Sequence, residues 1–154
     1  MRTAVKSENV ADILAIQALK AAYFRCVDTR DWEGLTGLFT RNATVFFPEQ
    51  QDQPQPINTA IALYQEALVN AVSVHHGHNP EIDIISADYA RGIWAMEDRI
   101  TWPNDKPSSM GLEYLHGYGH YHDEYRKVDG LWFIESLKVT RLWVRATPPA
   151  RSVS

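Results

Sequence analysis

Apolar side chains recur at helical intervals through the first part of the chain and at strand intervals through the rest. Ile13, Ile16, Leu19, Tyr23 and Val27 fall three or four residues apart in "ADILAIQALKAAYFRCVD", which predicts a helix with one buried stripe. Its Ala, Leu, Lys and Gln lose little rotamer freedom in a helix. Ser7 or Asn9 is placed to cap it, because a short side-chain oxygen can take an N–H that the first turn leaves unpaired. "TRDWEGLTGLF" predicts a second short helix with Trp32, Leu35, Leu38 and Phe39 on one side. "ATVFFP" reads as a strand stopped by Pro48, and the polar "PEQQDQPQPIN" as a loop. Asn58 or Thr59 would cap a third helix in "AIALYQEALVNAV".

Beyond this point the period is two. "EIDIIS" alternates, "RGIWAMEDRITW" and "GLEYLHGYGHYHDEYRKV" are long strands around the loop "PNDKPSS", and "LWFIESLKVTRLWV" closes the sheet. Asp129–Gly130 is a strong hairpin signal. "RATPPARSVS" reads as a frayed tail. Helices followed by four or five long antiparallel strands predict an α+β domain. A curved antiparallel sheet of that size would wrap around the three helices as a cone and leave a pocket at its open end.

Composition narrows the possibilities. A chain of 154 residues is expected to form one domain, with an ordered core over about 8–146 and a tail over 147–154. A net charge of −4 without a basic stripe argues against nucleic-acid binding. No apolar run approaches the roughly 18 residues that span a bilayer, so no membrane partner is expected. "MRTAVKSENVADIL" lacks a signal-peptide core, and the single cysteine, Cys26, reads as packing. The expected location is a reducing cytoplasm.

Strand parity then exposes misplaced charges. Gly92, Trp94, Met96, Asp98, Ile100 and Trp102 share one face, on which Asp98 is the sole charge. Phe133, Glu135, Leu137, Val139, Arg141 and Trp143 share another, which places Arg141 among apolar neighbours. Such charges are costly unless paired with each other or solvated in a pocket. On the first helix, Tyr23 lies on the apolar stripe and Asp28 about 140° around from it, so both could flank one cavity without touching. "VSVHHGHNPEIDI" clusters His75, His76 and His78, but Pro80 interrupts the alternation, so parity cannot pick the inward imidazole. His76 and His78, with His120 and His122, could in principle converge on a metal. No Cys or carboxylate at a recognised spacing accompanies them, so no metal site is expected. His116, His120 and His122 otherwise read as a polar outer face.

From "ALKAAYFRCVDTRDWEGLTGLFTRNATV" through "HHGHN" to "YHDEYRKVDGLWFIESLKVTRLWV", the chain resembles the SnoaL-like group of the nuclear-transport-factor-two-like superfamily. That resemblance implies a cone of curved antiparallel sheet around three helices. Scytalone dehydratase, bile-acid dehydratase and hexachlorocyclohexane dehydrochlorinase carry a pocket histidine beside an aspartate or tyrosine. The dehydrochlorinase pattern His-x-Gly-x-Asn puts the catalytic histidine at His75 and the helix aspartate at Asp28. The bile-acid dehydratase pattern matches Tyr23, Asp28, Asp98 and Arg141. An additional tyrosine of scytalone dehydratase near the first strand is replaced here by Phe46 and Phe47.

The implied activity is a cofactor-independent, dehydratase-type lyase acting on a hydrophobic cyclic small molecule. His75 would be the general base, and Asp28, with Asp98 a second candidate, would orient it. Tyr23 would bind a substrate oxygen or protonate the leaving hydroxyl, and Arg141 would neutralise developing negative charge. Trp94, Met96, Trp102 and Phe133 would supply the apolar wall, shaped by loops 49–56 and 103–110. Isomerase or cyclase chemistry on the same pocket is the alternative, as is a non-catalytic binding or assembly domain. Exposed aromatic strands on an open sheet call for a covering partner, so a homo-oligomer, trimer or dimer, is expected.

Overall fold

The apolar stripe near the N-terminus becomes α1, Val10–Thr29, in a computed structural model that describes residues 5–148. Ile16, Tyr23, Cys26 and Val27 are buried along it, and so is Lys20. Asn9 occupies the N-cap position but makes no side-chain bond there, and Ser7 opens a 3-10 turn instead of capping. Arg30 ends the helix in the left-handed region, and its guanidinium donates to the Leu68 carbonyl at 3.1 and 3.3 Å. α2, Trp32–Thr36, is capped by Asp31, which accepts from the Gly34 N–H at 2.9 Å. α3, Ile57–Ala67, starts directly after Pro56. Proline's fixed φ aims the chain into this helix, and Asn58 and Thr59 lie inside the first turn and do not cap it.

Six strands form one sheet: β1 (Phe39–Phe46), β2 (Gln55–Pro56), β3 (Val72–Ile84), β4 (Tyr89–Thr101), β5 (Tyr114–Val128) and β6 (Leu131–Thr147), in the order β2-β1-β6-β5-β4-β3. β3 to β6 are the expected antiparallel meander, but β3 begins at Val72, where the third helix was expected to end, and not at Glu81, where the alternation was read. β1 instead runs parallel to β6, so the curved, unclosed sheet is mixed. Alternation encodes the face a residue occupies and says nothing about the partner or direction of its strand. Asp129 and Gly130 both take positive φ (49° and 82°), as a tight hairpin turn requires. Thr147 pairs with Tyr114, so Arg145–Thr147 is strand where a frayed tail was expected. The tail from residue 149 onward lies outside the described residues.

Irregular pairing resets parity twice on β6, near Glu124/Tyr125 and near Tyr118/Gly119. A residue inserted on one strand turns those beyond it onto the other face. Trp132 and Ile134 therefore point inward, as do Leu137 and Val139. Phe133 is turned to the outer side, opposite Arg126, and Trp143 stacks outside on Tyr118 with ring centroids 5.6 Å apart. On β4 the expected inward set, from Gly92 to Ile100, holds throughout.

The helix layer lies across the inner side of the sheet, and α1 packs against the edge strand β3. The contact is set by Gly77, where a Cβ would come within 2.7 Å of the Phe24 ring. From that point the helix and strand run in opposite directions. Four helical residues rise about 6 Å and two strand residues span about 6.8 Å, so Asp28 arrives over His75 when Phe24 rests on Gly77. Gly77→Ala should therefore lift α1 from the sheet and destabilise the fold by about 1–3 kcal/mol, read as a lower urea midpoint.

Candidate active site

Being at the sheet edge, β3 has backbone N–H groups without a partner strand on one side. Asp28 satisfies one of them. Its Oδ2 accepts the His75 N–H at 2.9 Å, while Oδ1 accepts the Ser73 hydroxyl at 2.9 Å and meets His75 Nδ1 at 2.6 Å. Burial pushes the Asp28 carboxyl up, but the bonds from His75 and Ser73 more than offset this and hold its pKa below the ordinary 3.8. An ionised carboxylate can only accept, so Nδ1 carries the proton and Nε2 is the basic nitrogen. The irregular pairing between Gly77 and Pro80 lets His75 share the inner face with Asp98 while Ile82 also faces inward.

His75 opens onto a cavity of about 320 Å³, whose wall also includes Tyr23, Met96, Asp98, Trp102 and Arg141. Gln50 and Gln51 from one loop, and Ser109 and Met110 from another, complete the rim. Asp28 itself stands behind the imidazole and does not line the space. Asp98 does not orient His75, because both its oxygens are taken by Arg141, at 3.0 Å from Nη1 and 2.6 Å from Nη2. Burial works against the Arg141 charge, and the Asp98 bonds raise its pKa in spite of that. The misplaced charges thus form a bidentate pair in the cavity wall.

Two expected wall residues lie elsewhere. Trp94 sits in the core beyond the cavity, where its indole N–H donates to the Tyr125 hydroxyl at 2.9 Å. Phe133 faces outward because of the parity reset on β6 and does not line the cavity. His76, His78 and His116 lie on the outer face, the last two meeting Glu97 at 3.4 and 2.9 Å. His122 is bonded to the Thr140 hydroxyl at 2.9 Å. Among the described residues no group of three or more His, Cys, Asp or Glu is arranged to hold a metal ion.

Other residues of the site went unread in the sequence. Tyr64 from α3 and Tyr121 from β5 line the cavity, and Asp123 lies two residues beyond Tyr121 on the same inner face. Parity applied to "GYGHYHDEY" would have found Tyr121 and Asp123. Gly117, opposite Asp98 across the β4–β5 ladder, leaves the space that Arg141 fills, since a Cβ there would collide with Nη1.

Gly117→Ala should displace Arg141 from Asp98 and leave a carboxylate without its partner, lowering the urea midpoint and weakening any anionic ligand. Asp28→Asn should cost stability most at neutral pH. A depressed folded-state pKa contributes stability above the unfolded value, and this is lost as pH falls through the folded value. The gap between wild type and variant should therefore close as pH drops below 3.8, read from urea unfolding across a pH series.

The chain matches the model of the SnoaL-like domain family over residues 8–138. A relative from Gibberella zeae named a probable cyclase, FGR4, is 25% identical over 138 residues, covering 83% of this chain and 89% of that protein. Among solved structures, a LinA-type3 hexachlorocyclohexane dehydrochlorinase from Novosphingobium barchaimii aligns with a TM-score of 0.74 at 19% identity, covering 96% of this chain and 97% of that one. A scytalone dehydratase candidate from Novosphingobium aromaticivorans aligns with a TM-score of 0.75 at 22% identity, over 94% and 97% of the two chains. At these identities the structural likeness establishes the fold alone. The chain belongs to the SnoaL-like domain family.

Proposed function

We propose that this protein is a cofactor-independent lyase that eliminates water, or a similar leaving group, from a hydrophobic cyclic small molecule. The observation that carries this reading is the Asp28–His75 pair, which frees Nε2 on a ring that lines a largely apolar cavity. Nε2 takes a proton from a carbon next to a carbonyl, and the resulting imidazolium is stabilised by the carboxylate behind it. The electron pair left on carbon forms an enolate. As that pair returns, the bond to the leaving oxygen breaks, and the departing hydroxide takes a proton from the imidazolium or from Tyr23, leaving as water. Arg141, neutralised by Asp98, contributes residual N–H donors more than net charge.

Isomerisation or cyclisation on the same pair is the second reading, favoured by the name of the Gibberella zeae relative. Both begin with the same proton abstraction and differ in the fate of the enolate. A purely binding or assembly role is less well supported, since the helix carboxylate and the imidazole are bonded at 2.6 Å at a cavity wall. Turnover of a panel of cyclic hydroxyketones, with product analysis, separates elimination from isomerisation. On any substrate turned over, His75→Ala should reduce kcat by about 10²–10⁴-fold with an unchanged circular dichroism spectrum. Near-wild-type turnover in that variant would end the assignment.

A further inference from the structure

The carboxylate behind His75 divides its bonds unequally. Oδ2 of Asp28 takes one donor, the His75 backbone N–H, whereas Oδ1 takes two, His75 Nδ1–H at 2.6 Å and the Ser73 hydroxyl at 2.9 Å. Ser73 is nearly enclosed, at 6% exposure, and lies two residues before His75 on β3. Residues i and i+2 of a strand share a face, so a single carboxylate on α1 reaches both side chains. Burial against the helix asks only for a small side chain, and alanine would meet that need with no hydroxyl to satisfy.

What the hydroxyl adds is a second donor on the oxygen that supports the imidazole. Each donor draws charge from the oxygen it meets, so an acceptor serving two holds each less strongly than it would hold one. A hydrogen bond to the charged form also lowers a carboxyl's proton affinity. The Ser73 bond is among the causes that hold the Asp28 pKa below 3.8. The carboxylate is thereby kept from taking the proton of an imidazolium beside it. Its pull on that proton is also moderated, so Nε2 stays free at the pH where a base is needed.

We propose that Ser73 is a positioning residue that acts through Asp28 to set how strongly the carboxylate supports the charged form of His75. The inference rests on the reading of His75 as general base and names the group that adjusts it. Asp98 on β4 lies opposite His75 and is bound to Arg141 of β6. Tyr23, Tyr64 and Tyr121 stay protonated, because burial raises the pKa of each. Arg30, at the end of α1, is turned to the Leu68 carbonyl, and Glu66 of α3 lines the cavity. Among the described residues none of these groups bonds to the Asp28 carboxylate, so the adjustment falls to Ser73.

The test is an NMR titration that follows the carbon-bound imidazole protons of His75 and the carboxyl carbon of Asp28, and it needs no substrate. Ser73→Ala should move both midpoints to higher pH, that of His75 by about half a unit, or roughly threefold in proton affinity. A merely structural role predicts another pattern. If alanine only loosened the Asp28–His75 bond, Asp28 would still move up, but His75 would move down, toward its midpoint in Asp28→Asn. Ser73→Thr and Ser73→Val share one shape and differ by a hydroxyl, so they separate the donor from the volume and serve where the alanine variant does not fold. Threonine should keep the wild-type midpoints, and valine should raise them. An unchanged or lowered His75 midpoint in the alanine or valine variant, or equal midpoints with threonine and valine, would overturn the proposal. If the general-base reading fails but this inference stands, the midpoints shift as described while His75→Ala retains turnover.

Discussion

The geometry of this protein hangs on a carboxylate that bridges a helix and a sheet edge. Asp28 takes a backbone N–H, a hydroxyl and an imidazole N–H from alternate residues of β3. An edge strand left bare presents unpaired donors, so the helix that covers it must supply an acceptor. One residue therefore closes the sheet edge, fixes the height of α1 and determines which nitrogen of His75 is basic. Under the proposed function, stability and chemistry would share these bonds.

The rest of the inner surface follows from the need to neutralise buried charge. Asp98 with Arg141, and Lys20 with Asp123, are two ion pairs in a largely apolar interior. Asp98 is saturated by two close, charge-assisted bonds, whereas Asp123 takes Lys20 and Tyr125 on Oδ2 and leaves its buried Oδ1 without a partner among the described residues. Space for them comes from small residues on β5. Gly117 admits the guanidinium, and Gly119 lies so near the Thr140 carbonyl and Arg141 Cα that no side chain fits where β6 bends. The bends on β6 turn Arg141 into the cavity and Trp143 out of it.

A SnoaL-like fold holds a cavity without prescribing a reaction, because the walls that face the ligand come partly from loops. Here the rim residues Gln50, Gln51, Ser109 and Met110 differ in kind from the fixed inner wall of His75, Tyr23 and Tyr121. Under the proposed function the inner wall would serve proton removal, and the rim would set the shape of the ring that enters.

The sequence by itself determined the three helices, the meander from the second half of β3 to β6, the Asp129–Gly130 turn and the inward face of β4. All of these arise from local periodicity and turn chemistry, which act over a few residues. It also marked Asp98 and Arg141, since a charge breaking an apolar alternation is visible without a fold. Only the tertiary structure decided that these two pair with each other, that β1 runs parallel to β6, and that Phe133 faces outward while Trp94 lies beyond the cavity. Bulges shift parity by one residue, and pairing joins segments far apart in the chain, so neither leaves a local trace. His75 shows both sides: motif resemblance singled it out, whereas its inward orientation depends on an irregularity at Pro80 and on a helix packed across Gly77.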